Sequence, residues 1–322
     1  MKDRVPLYPG RVTLTPVSGQ ANTYDMVRAD QPTEQGTPLN KENLLSDETA
    51  AALGLSGDPT VDDAFGALAG SIKLSEVEAT LPSSASWRSV TYGNGKLVAV
   101  ASGSTNETAY STNGINWTAA TMPSSASWQS VTYGDGKFVA VAYSSNKAAY
   151  STNGINWTAA TLPNTINWQS VTYGDGKFVA VASTNNKAAY SLDGINWTAA
   201  TMPSSASWRS VTYGNGKLVA VASGSTNETA YSTNGINWTA ATMPSSASWQ
   251  SVTYGDGKFV AVAYSSNKAA YSTNGINWTA ATLPNTINWQ SVTYGDGKFV
   301  AVASTNNKAA YSLDGINWSD SA

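Results

Sequence analysis

Six tryptophans that recur about every 40 residues are the side chains best suited to binding chemistry in this sequence. They are Trp87, Trp128, Trp168, Trp208, Trp249 and Trp289. An aromatic plane beside amide, hydroxyl and ammonium groups suits the apolar face and the hydroxyl fringe of a sugar ring. Polar and aromatic side chains of this kind follow in the same units: Arg88, Tyr143, Asn146, Lys147, Asn186, Lys187, Arg209, Tyr264, Asn267 and Lys268. We predict that these residues bind a ligand.

Residue types that usually carry catalysis are scarce. The chain has no histidine and no cysteine, which removes the usual base near neutral pH, thiolate metal sites and cysteine nucleophiles. Residues 83–322 contain two arginines, Arg88 and Arg209, and two glutamates, Glu107 and Glu228, at equivalent positions of two distant units. No paired carboxylates are visible. The sequence therefore predicts a protein that is not an enzyme, with no catalytic residue, no metal site and no cofactor.

The charge pattern and the length of the apolar runs argue against two classes of partner, nucleic acids and membranes. Residues 1–82 carry a net charge of −6 and residues 83–322 a net charge of +3, without a run of Lys or Arg. A phosphate backbone needs a basic patch, so we expect no nucleic-acid binding. The apolar runs, such as 138–142, are far shorter than the roughly 20 residues of a membrane helix, and the first residues lack the apolar stretch of a signal peptide. We expect neither membrane insertion nor a signal peptide.

An internal repeat predicts the architecture. Six copies of one unit fill residues 83–322. In the second copy, residues 128–133 and 138–142 flank a Gly-Asp-Gly turn, and two more strand-like segments, 148–151 and 155–161, flank a second turn. Repeats of about 40 residues with strand content are typical of propellers. We predict a mainly β fold, a six-bladed β-propeller of four-stranded blades, preceded by a small α+β adaptor.

The predicted domain boundaries follow from the same comparison. Residues 1–73 form the adaptor, residues 74–82 a linker, and residues 83–322 the propeller. Residues 79–82 repeat the sequence Ala-Thr-Leu-Pro found at the end of the second unit, at 160–163. We therefore expect residues 74–82 to close the ring by pairing with the last blade, whose own fourth strand stops near Ser319.

The turn before each fourth strand resembles the Asp-box, or BNR repeat, of sialidase-like propellers. The pattern Ser-x-Asp-Gly-x-x-Trp stands at Ser191–Trp197 and again at Ser312–Trp318, and asparagine replaces the aspartate in four units. The positions are Asn113, Asn153, Asp193, Asn234, Asn274 and Asp314. We expect these side chains to hold the turn through backbone N–H groups. The resemblance implies a sialidase as an enzyme hypothesis, but that family uses three arginines and the propeller has two, so a hydrolase is disfavoured.

Differences among the six units fall mainly in two segments. One is the loop between the second and third strands, as at 102–108, 143–147 and 183–187; the other is the link between blades, as at 123–127 and 163–167. Both emerge on one face of an up-and-down blade, so we expect this face to bind the ligand, with weak sites multiplied by valency. The alternative is that loops vary without function and that the tryptophans pack blade against blade.

The first part of the chain resembles the N-terminal region of tail-fibre and minor structural proteins of phages that infect Gram-positive hosts. The residues that carry this resemblance are Leu7–Val17, Asp25–Asp30 and Gly36–Leu44, and it spans about residues 5–55. Two short helices are predicted, one over 46–53 and one that includes 61 to 69 and extends at most to 77. The resemblance implies an attachment module within residues 1–82 that contacts other tail or baseplate proteins, with a homo-oligomer, such as a trimer, as a further expectation.

Together these features predict a receptor-binding tail fibre of a phage or phage-tail-like particle, made in the bacterial cytoplasm and located in the virion tail. Its propeller would bind a host-surface glycan or other receptor multivalently. One alternative is a purely structural tail or baseplate component. Another is an engineered symmetrised propeller, because residues 82–197 are identical to residues 203–318.

Overall fold

The computed structural model describes two short strands near the N-terminus and most of the repeat region. The described residues are 12–16, 24–28, 79–103, 107–224 and 228–320. The chain divides into two compact units, Met1–Val77 and Glu78–Ala322. In the first unit, β1 (Val12–Pro16) and β2 (Tyr24–Arg28) form an antiparallel pair in which Val12 lies opposite Arg28. The two predicted helices lie outside the described residues.

The second unit consists of six four-stranded antiparallel blades in a ring, a six-bladed β-propeller, which confirms the predicted fold class. In every blade the strands lie side by side in chain order. Blade 1 contains β3 (Ser86–Gly93), β4 (Lys96–Ser102), β5 (Glu107–Ser111) and β6 (Thr118–Thr121); blade 2 contains β7 (Ser127–Gly134), β8 (Lys137–Tyr143), β9 (Ser145–Ser151) and β10 (Thr158–Ile166); blade 3 contains β11 (Trp168–Gly174), β12 (Lys177–Ala182), β13 (Lys187–Ser191) and β14 (Thr198–Thr201).

The other three blades repeat this arrangement. Blade 4 contains β15 (Ser207–Gly214), β16 (Lys217–Ser223), β17 (Glu228–Ser232) and β18 (Thr239–Thr242); blade 5 contains β19 (Ser248–Gly255), β20 (Lys258–Tyr264), β21 (Ser266–Ser272) and β22 (Thr279–Ile287); blade 6 contains β23 (Trp289–Gly295), β24 (Lys298–Ala303), β25 (Ala309–Ser312) and β26 (Ser319–Asp320). None of the described residues forms a helix long and apolar enough to cross a bilayer.

The first turn of each blade shows why this sequence makes a hairpin. Gly134 lies opposite Lys137 at the end of the β7–β8 ladder. The two residues between them, Asp135 and Gly136, both have positive φ, 45° and 72°. Two successive residues with positive φ are the requirement of a type I′ turn, for which Asp-Gly is a preferred sequence.

Neighbouring blades pack through their short apolar side chains. Between blades 3 and 4, Val179 and Val181 of β12 join Trp208 and Val211 of β15 in one buried cluster. A hydrogen bond crosses the same interface, because the backbone N–H of Val211 donates to Ser170 Oγ at 3.2 Å. Equivalent bonds join blades 1–2, 2–3, 4–5 and 5–6. The core of the propeller is therefore made between blades.

The position between blade 6 and blade 1 differs from these five interfaces. On blade 1, Val90 is 57% exposed, whereas its equivalent Val211 is 5% exposed. On blade 6, Val302 is 45% exposed, whereas its equivalent Val181 is fully buried. The two end blades thus present faces that are covered everywhere else in the ring.

The predicted ring-closing segment contacts the first blade. Thr80 forms a parallel bridge with Asn116 of blade 1, just as Thr121 at the end of β6 bridges Asn156 of blade 2. Residues 79–82 therefore take, for blade 1, the place that the end of each fourth strand takes for the following blade. Blade 6 supplies its own fourth strand, β26, and the pairings of the described strands do not join residues 79–82 to it.

Candidate ligand-binding clefts

Two equivalent clefts open where the glycine that follows β4 or β16 of one blade, Gly103 or Gly224, faces the next blade. Cleft A, about 500 Å³, lies between blades 1 and 2, and cleft B, about 550 Å³, lies between blades 4 and 5. Cleft A is lined by Gly103, Ser125, Ala126, Ser127, Tyr143, Ser144, Ser145 and Lys147. Cleft B is lined by Gly224, Ser246, Ala247, Ser248, Tyr264, Ser265, Ser266 and Lys268.

A tight hairpin positions the tyrosine of cleft A. Strand β8 ends at Tyr143 and β9 begins at Ser145, so a single residue, Ser144, makes the connection with a φ of 53°. The hairpin is extended on its other side because Ile166, at the end of β10, pairs with Ser145. The Tyr143 side chain remains 38% exposed, as does Tyr264 in cleft B. In each cleft this hairpin therefore holds a tyrosine ring that is partly exposed to solvent.

The link between blades forms the opposite wall of cleft A. The ammonium of Lys147 donates to the backbone carbonyl of Ser125 at 2.8 Å, which fixes the lysine against this link. The buried Trp128 also contacts this link, because its indole N–H donates to the carbonyl of Ser124 at 3.3 Å. Cleft B repeats the lysine contact, from Lys268 to Ser246, at the same distance.

The groups that line the clefts favour a ligand rich in acceptors. A lysine ammonium has three N–H donors, of which the described contact of Lys147 uses one. Serine hydroxyls both donate and accept, and a tyrosine ring offers an apolar surface with a polar end. None of the lining residues carries a carboxylate. Each cleft therefore suits a hydroxyl-rich molecule, and its lysine favours one that also carries an anionic group.

The strand-opening tryptophans are part of the core. The side chains of Trp128, Trp168, Trp208, Trp249 and Trp289 are fully buried. Their indole N–H groups, and that of Trp87, donate to the carbonyl oxygen four residues earlier, at 2.9–3.3 Å. The prediction that these five rings face a ligand is therefore wrong, because blade packing covers them. Trp87 is half-buried, since its side of blade 1 carries no packed blade.

The other predicted ligand residues divide between the clefts and the rest of the loops. Tyr143, Lys147, Tyr264 and Lys268 line the clefts. The remaining residues lie outside the lining of both clefts: Arg88, Asn146, Asn186, Lys187, Arg209 and Asn267. In blade 3 the carbonyl of Asn186 accepts the backbone N–H of Met202, so this loop is bonded to the following link. The serines that line both clefts were not predicted as ligand residues, although they lie in the two segments that vary among the units.

The turn before each fourth strand is held by its aspartate or asparagine. Asp193 Oδ1 accepts the backbone N–H groups of Ile195 and Asn196 at 2.9 and 2.8 Å, and Ser191 Oγ donates to the same oxygen. These hydrogen bonds hold the pKa of the Asp193 carboxyl well below its usual range, and the bond from the Asn196 backbone N–H contributes most. Asp314 makes the same bonds, and the equivalent asparagines accept the same two N–H groups: Asn113, Asn153, Asn234 and Asn274.

Acidic side chains are dispersed in the part of the chain that the structure describes. No three of them come close enough together there to hold a metal ion. The aspartates of the first turns instead face lysines, as Asp135 faces Lys137 at 3.6 Å.

Several solved structures share this fold. Virginiamycin B lyase from Staphylococcus aureus superposes with a TM-score of 0.67 at 15% identity, over 74% of this chain and 85% of the lyase. YCF48 bound to D1 peptide gives 0.58 at 16% identity, over 74% and 82% of the two chains. YCF48 from Cyanidioschyzon merolae gives 0.59 at 13% identity, over 76% and 87%. No protein-family model and no curated protein sequence matches the chain.

These comparisons correct one expectation from the sequence. The expectation that the protein is not an enzyme is contradicted by virginiamycin B lyase, an enzyme built on the same fold. At 12–15% identity the likeness shows the fold alone, so the lyase chemistry does not transfer to this chain. What the comparisons show for this chain is the propeller fold.

Proposed function

We propose that this chain is a receptor-binding protein of a phage tail or phage-tail-like particle, and that clefts A and B bind a host-surface glycan. The observation that carries the proposal is the exact repetition of one exposed cleft, with Tyr143 and Lys147 in blade 2 and Tyr264 and Lys268 in blade 5. A surface polysaccharide repeats its own units, so two weak sites on one propeller gain avidity. The resemblance of residues 5–55 to tail-fibre proteins supports a role of the N-terminal part in attaching the propeller to a particle.

The lysine of each cleft narrows the class of glycan. Lys147 lies 2.8 Å from the Ser125 carbonyl, which holds its ammonium at the cleft wall. An ammonium in this place favours a sugar polymer with carboxylate or phosphate groups over a neutral one. We therefore expect an anionic cell-wall or capsular polymer to be the preferred ligand.

A glycan array with the full chain tests this proposal. Positive spots are followed by titration with Lys147→Met combined with Lys268→Met, which should weaken binding at least tenfold. The matched control is Lys137→Met combined with Lys258→Met, because these lysines begin strands β8 and β20 in the same two blades but lie outside both clefts. The control should bind as the wild type does.

Three results would reject or redirect the proposal. If no glycan and no host cell surface binds the chain, receptor binding is rejected. If both double variants bind equally, the clefts are not the site. If a bound glycan is cleaved, the clefts are catalytic, and product analysis defines the reaction.

A peptide is the second candidate ligand, since YCF48, which shares this fold, is seen with D1 peptide. Arrayed peptides probed with the same variants compare the two ligand classes directly. Peptide binding that depends on Lys147 and Lys268, without any glycan binding, would assign the clefts to a protein partner.

A further inference from the structure

Six Asn-Gly pairs lie in the turns of the propeller. Two of them occupy first turns of blades, Asn94-Gly95 and Asn215-Gly216, and four occupy the turns before fourth strands: Asn113-Gly114, Asn153-Gly154, Asn234-Gly235 and Asn274-Gly275. Glycine has no side chain to shield its backbone nitrogen, so in such a pair this nitrogen can attack the carbonyl carbon of the preceding asparagine amide. The attack forms a C–N bond, closes a succinimide ring and releases ammonia. Water then opens the ring and leaves aspartate or isoaspartate.

The two first-turn pairs are open to this reaction. Asn94 and Gly95 are both exposed, as are Asn215 and Gly216. A Cβ added to either glycine would meet no atom within 4 Å, so no neighbouring blade packs against these turns. The side-chain amide of Asn94 donates to the Thr152 carbonyl at 3.5 Å, a long contact that restrains the side chain weakly. The hairpin tip has to open briefly for the attack, and exposed turns open at a low free-energy cost.

In the turns before the fourth strands, both reacting groups are held. Oδ1 of Asn153 accepts the backbone N–H groups of Ile155 and Asn156, each at 2.9 Å, which fixes the amide in the turn. The N–H of Gly154, the group that would have to attack, is buried and donates to Ser151 Oγ at 2.9 Å. The other three turns have the same bond from glycine to serine, also at 2.9 Å: Gly114 to Ser111, Gly235 to Ser232 and Gly275 to Ser272.

We propose that Asn94 and Asn215 are sites of spontaneous deamidation, with water as the only co-reactant, and that the other four asparagines are protected by their turns. The first turn accepts the aspartate product, because Asp135 stands at the equivalent position of blade 2 with a φ of 45°, against 46° for Asn94. Asp135 lies 3.6 Å from Lys137, and a carboxylate at position 94 would face Lys96 in the same way. Conversion at both sites changes the net charge of the chain from −3 to −5, since each adds one negative charge.

The isoaspartate product does not fit this turn in the same way. It carries an extra methylene group in the main chain, and in blade 1 only two residues connect Gly93 to Lys96, which are paired at the end of the ladder. The length and type of a hairpin turn set the register of the strands that it joins, so this product should weaken the β3–β4 hairpin. The turn lies at the opposite end of β4 from Gly103, which lines cleft A. The proposal therefore does not rest on glycan binding.

The test follows the folded full chain during incubation at mildly alkaline pH. Peptide mapping by mass spectrometry measures conversion at the Asn-Gly pairs, and equivalent asparagines of the two identical copies are measured together because their peptides are the same. The peptide that contains Asn94 or Asn215 should convert at least tenfold faster than those that contain the other four asparagines: Asn113, Asn153, Asn234 and Asn274. Isoelectric focusing should show two new, more acidic species, and Asn94→Asp combined with Asn215→Asp should show none.

The same incubation in guanidinium chloride is the control, because unfolding removes the turns and keeps the sequence. All six pairs should then convert at similar rates. Equal rates in the folded chain would mean that the turns give no protection, and would overturn the proposal. Asn94 and Asn215 that stay intact in the folded chain, while their peptide converts in denaturant, would overturn it as well. A tenfold difference that persists in denaturant would come from the neighbouring residues in the sequence, and would also overturn the proposal.

Discussion

The ring of Tyr213 lies directly over Gly174, close enough that a methyl group on Gly174 would be 2.0 Å from Tyr213 Cγ. The same relationship joins Gly93 to Tyr133, Gly134 to Tyr173, Gly214 to Tyr254 and Gly255 to Tyr294. Glycine is required here by the space that the neighbouring blade occupies. The backbone conformation at Gly174 does not demand it, since its φ is not in the left-handed region.

Gly174→Ala should therefore destabilise the propeller. The tyrosine ring has to move, and such overpacking costs about 1–3 kcal/mol. The matched control is Gly295→Ala, the same substitution in the same sequence context, with nothing within 4 Å of the added atom. Urea unfolding of both variants, at a concentration where the chain is monomeric, gives the comparison. Equal losses would show that Gly295 is covered in solution.

Trp208 and Trp87 provide a second matched pair, because they are equivalent positions of the two identical copies. Trp208 is fully buried between blades, and Trp87 is half-buried. Replacing a buried tryptophan by alanine costs about 3–5 kcal/mol, so Trp208→Ala should lose that much stability. Trp87→Ala should lose clearly less, as measured by chemical unfolding. If Trp87→Ala lost more stability than Trp208→Ala, Trp87 would not be as exposed as the structure shows.

The two clefts predict a stoichiometry. A short oligosaccharide that fits one cleft should bind the wild type at two sites, and Tyr143→Ala should leave one, because Tyr264 is unaffected. Calorimetric titration measures the number of sites directly. On a dense glycan surface the same single variant should lose affinity by a factor of 10²–10⁴, since avidity depends on both sites. A single site in the wild type would rule out two independent clefts.

Acid should destabilise the propeller partly through Asp193 and Asp314. The pKa of each carboxyl is lowered in the folded chain, first by the N–H bond from Asn196 or Asn317. A lowered pKa contributes stability above the unfolded value of about 3.9 that is lost as the pH falls toward the folded value. Asp193→Asn with Asp314→Asn should fold, because four other turns carry asparagine, and should lose less stability between pH 4 and pH 2.

The control for this acid response uses Asp175→Asn with Asp296→Asn. These aspartates lie in the first turns of the same two blades, where they face lysines at 3.6 and 3.9 Å. Exposed ion pairs of this kind contribute little, so this double variant should follow the wild type in acid. Thermal unfolding followed by circular dichroism at several pH values compares the three proteins. An identical acid response of all three would remove the role given to Asp193 and Asp314.

The sequence was sufficient for the propeller fold because each local signal agrees with the repeat. Asp135-Gly136 predicts the first turn, and the Ser191–Trp197 pattern predicts the second. The tryptophans were misjudged for a physical reason: both faces of a propeller blade are covered by neighbouring blades, so a ring at the start of a strand is buried even where loops surround it. Tyr143 and Lys147 could be identified because their loop differs among the units. Their position beside Ser125 depends on how the residues are packed in three dimensions, and the sequence of one repeat does not show this.

The exposure of the end faces could not have been read from the residues. Val181 and Val302 stand in identical sequences, yet one is fully buried and the other is 45% exposed. Identical residues give identical local propensities, so their difference arises entirely from the order of the blades in the chain.

The identity of the two halves also bears on how this gene can change in length. The junction between them, at Thr198–Met202, joins blade 3 to blade 4 through the strand β14 and a short link. A chain that gained a further three-blade block by unequal recombination would make at each new junction the contact that blades 3 and 4 already make. Each such junction would be packed by residues that the chain already uses, but the angle between neighbouring blades would have to fall before nine of them could share one ring.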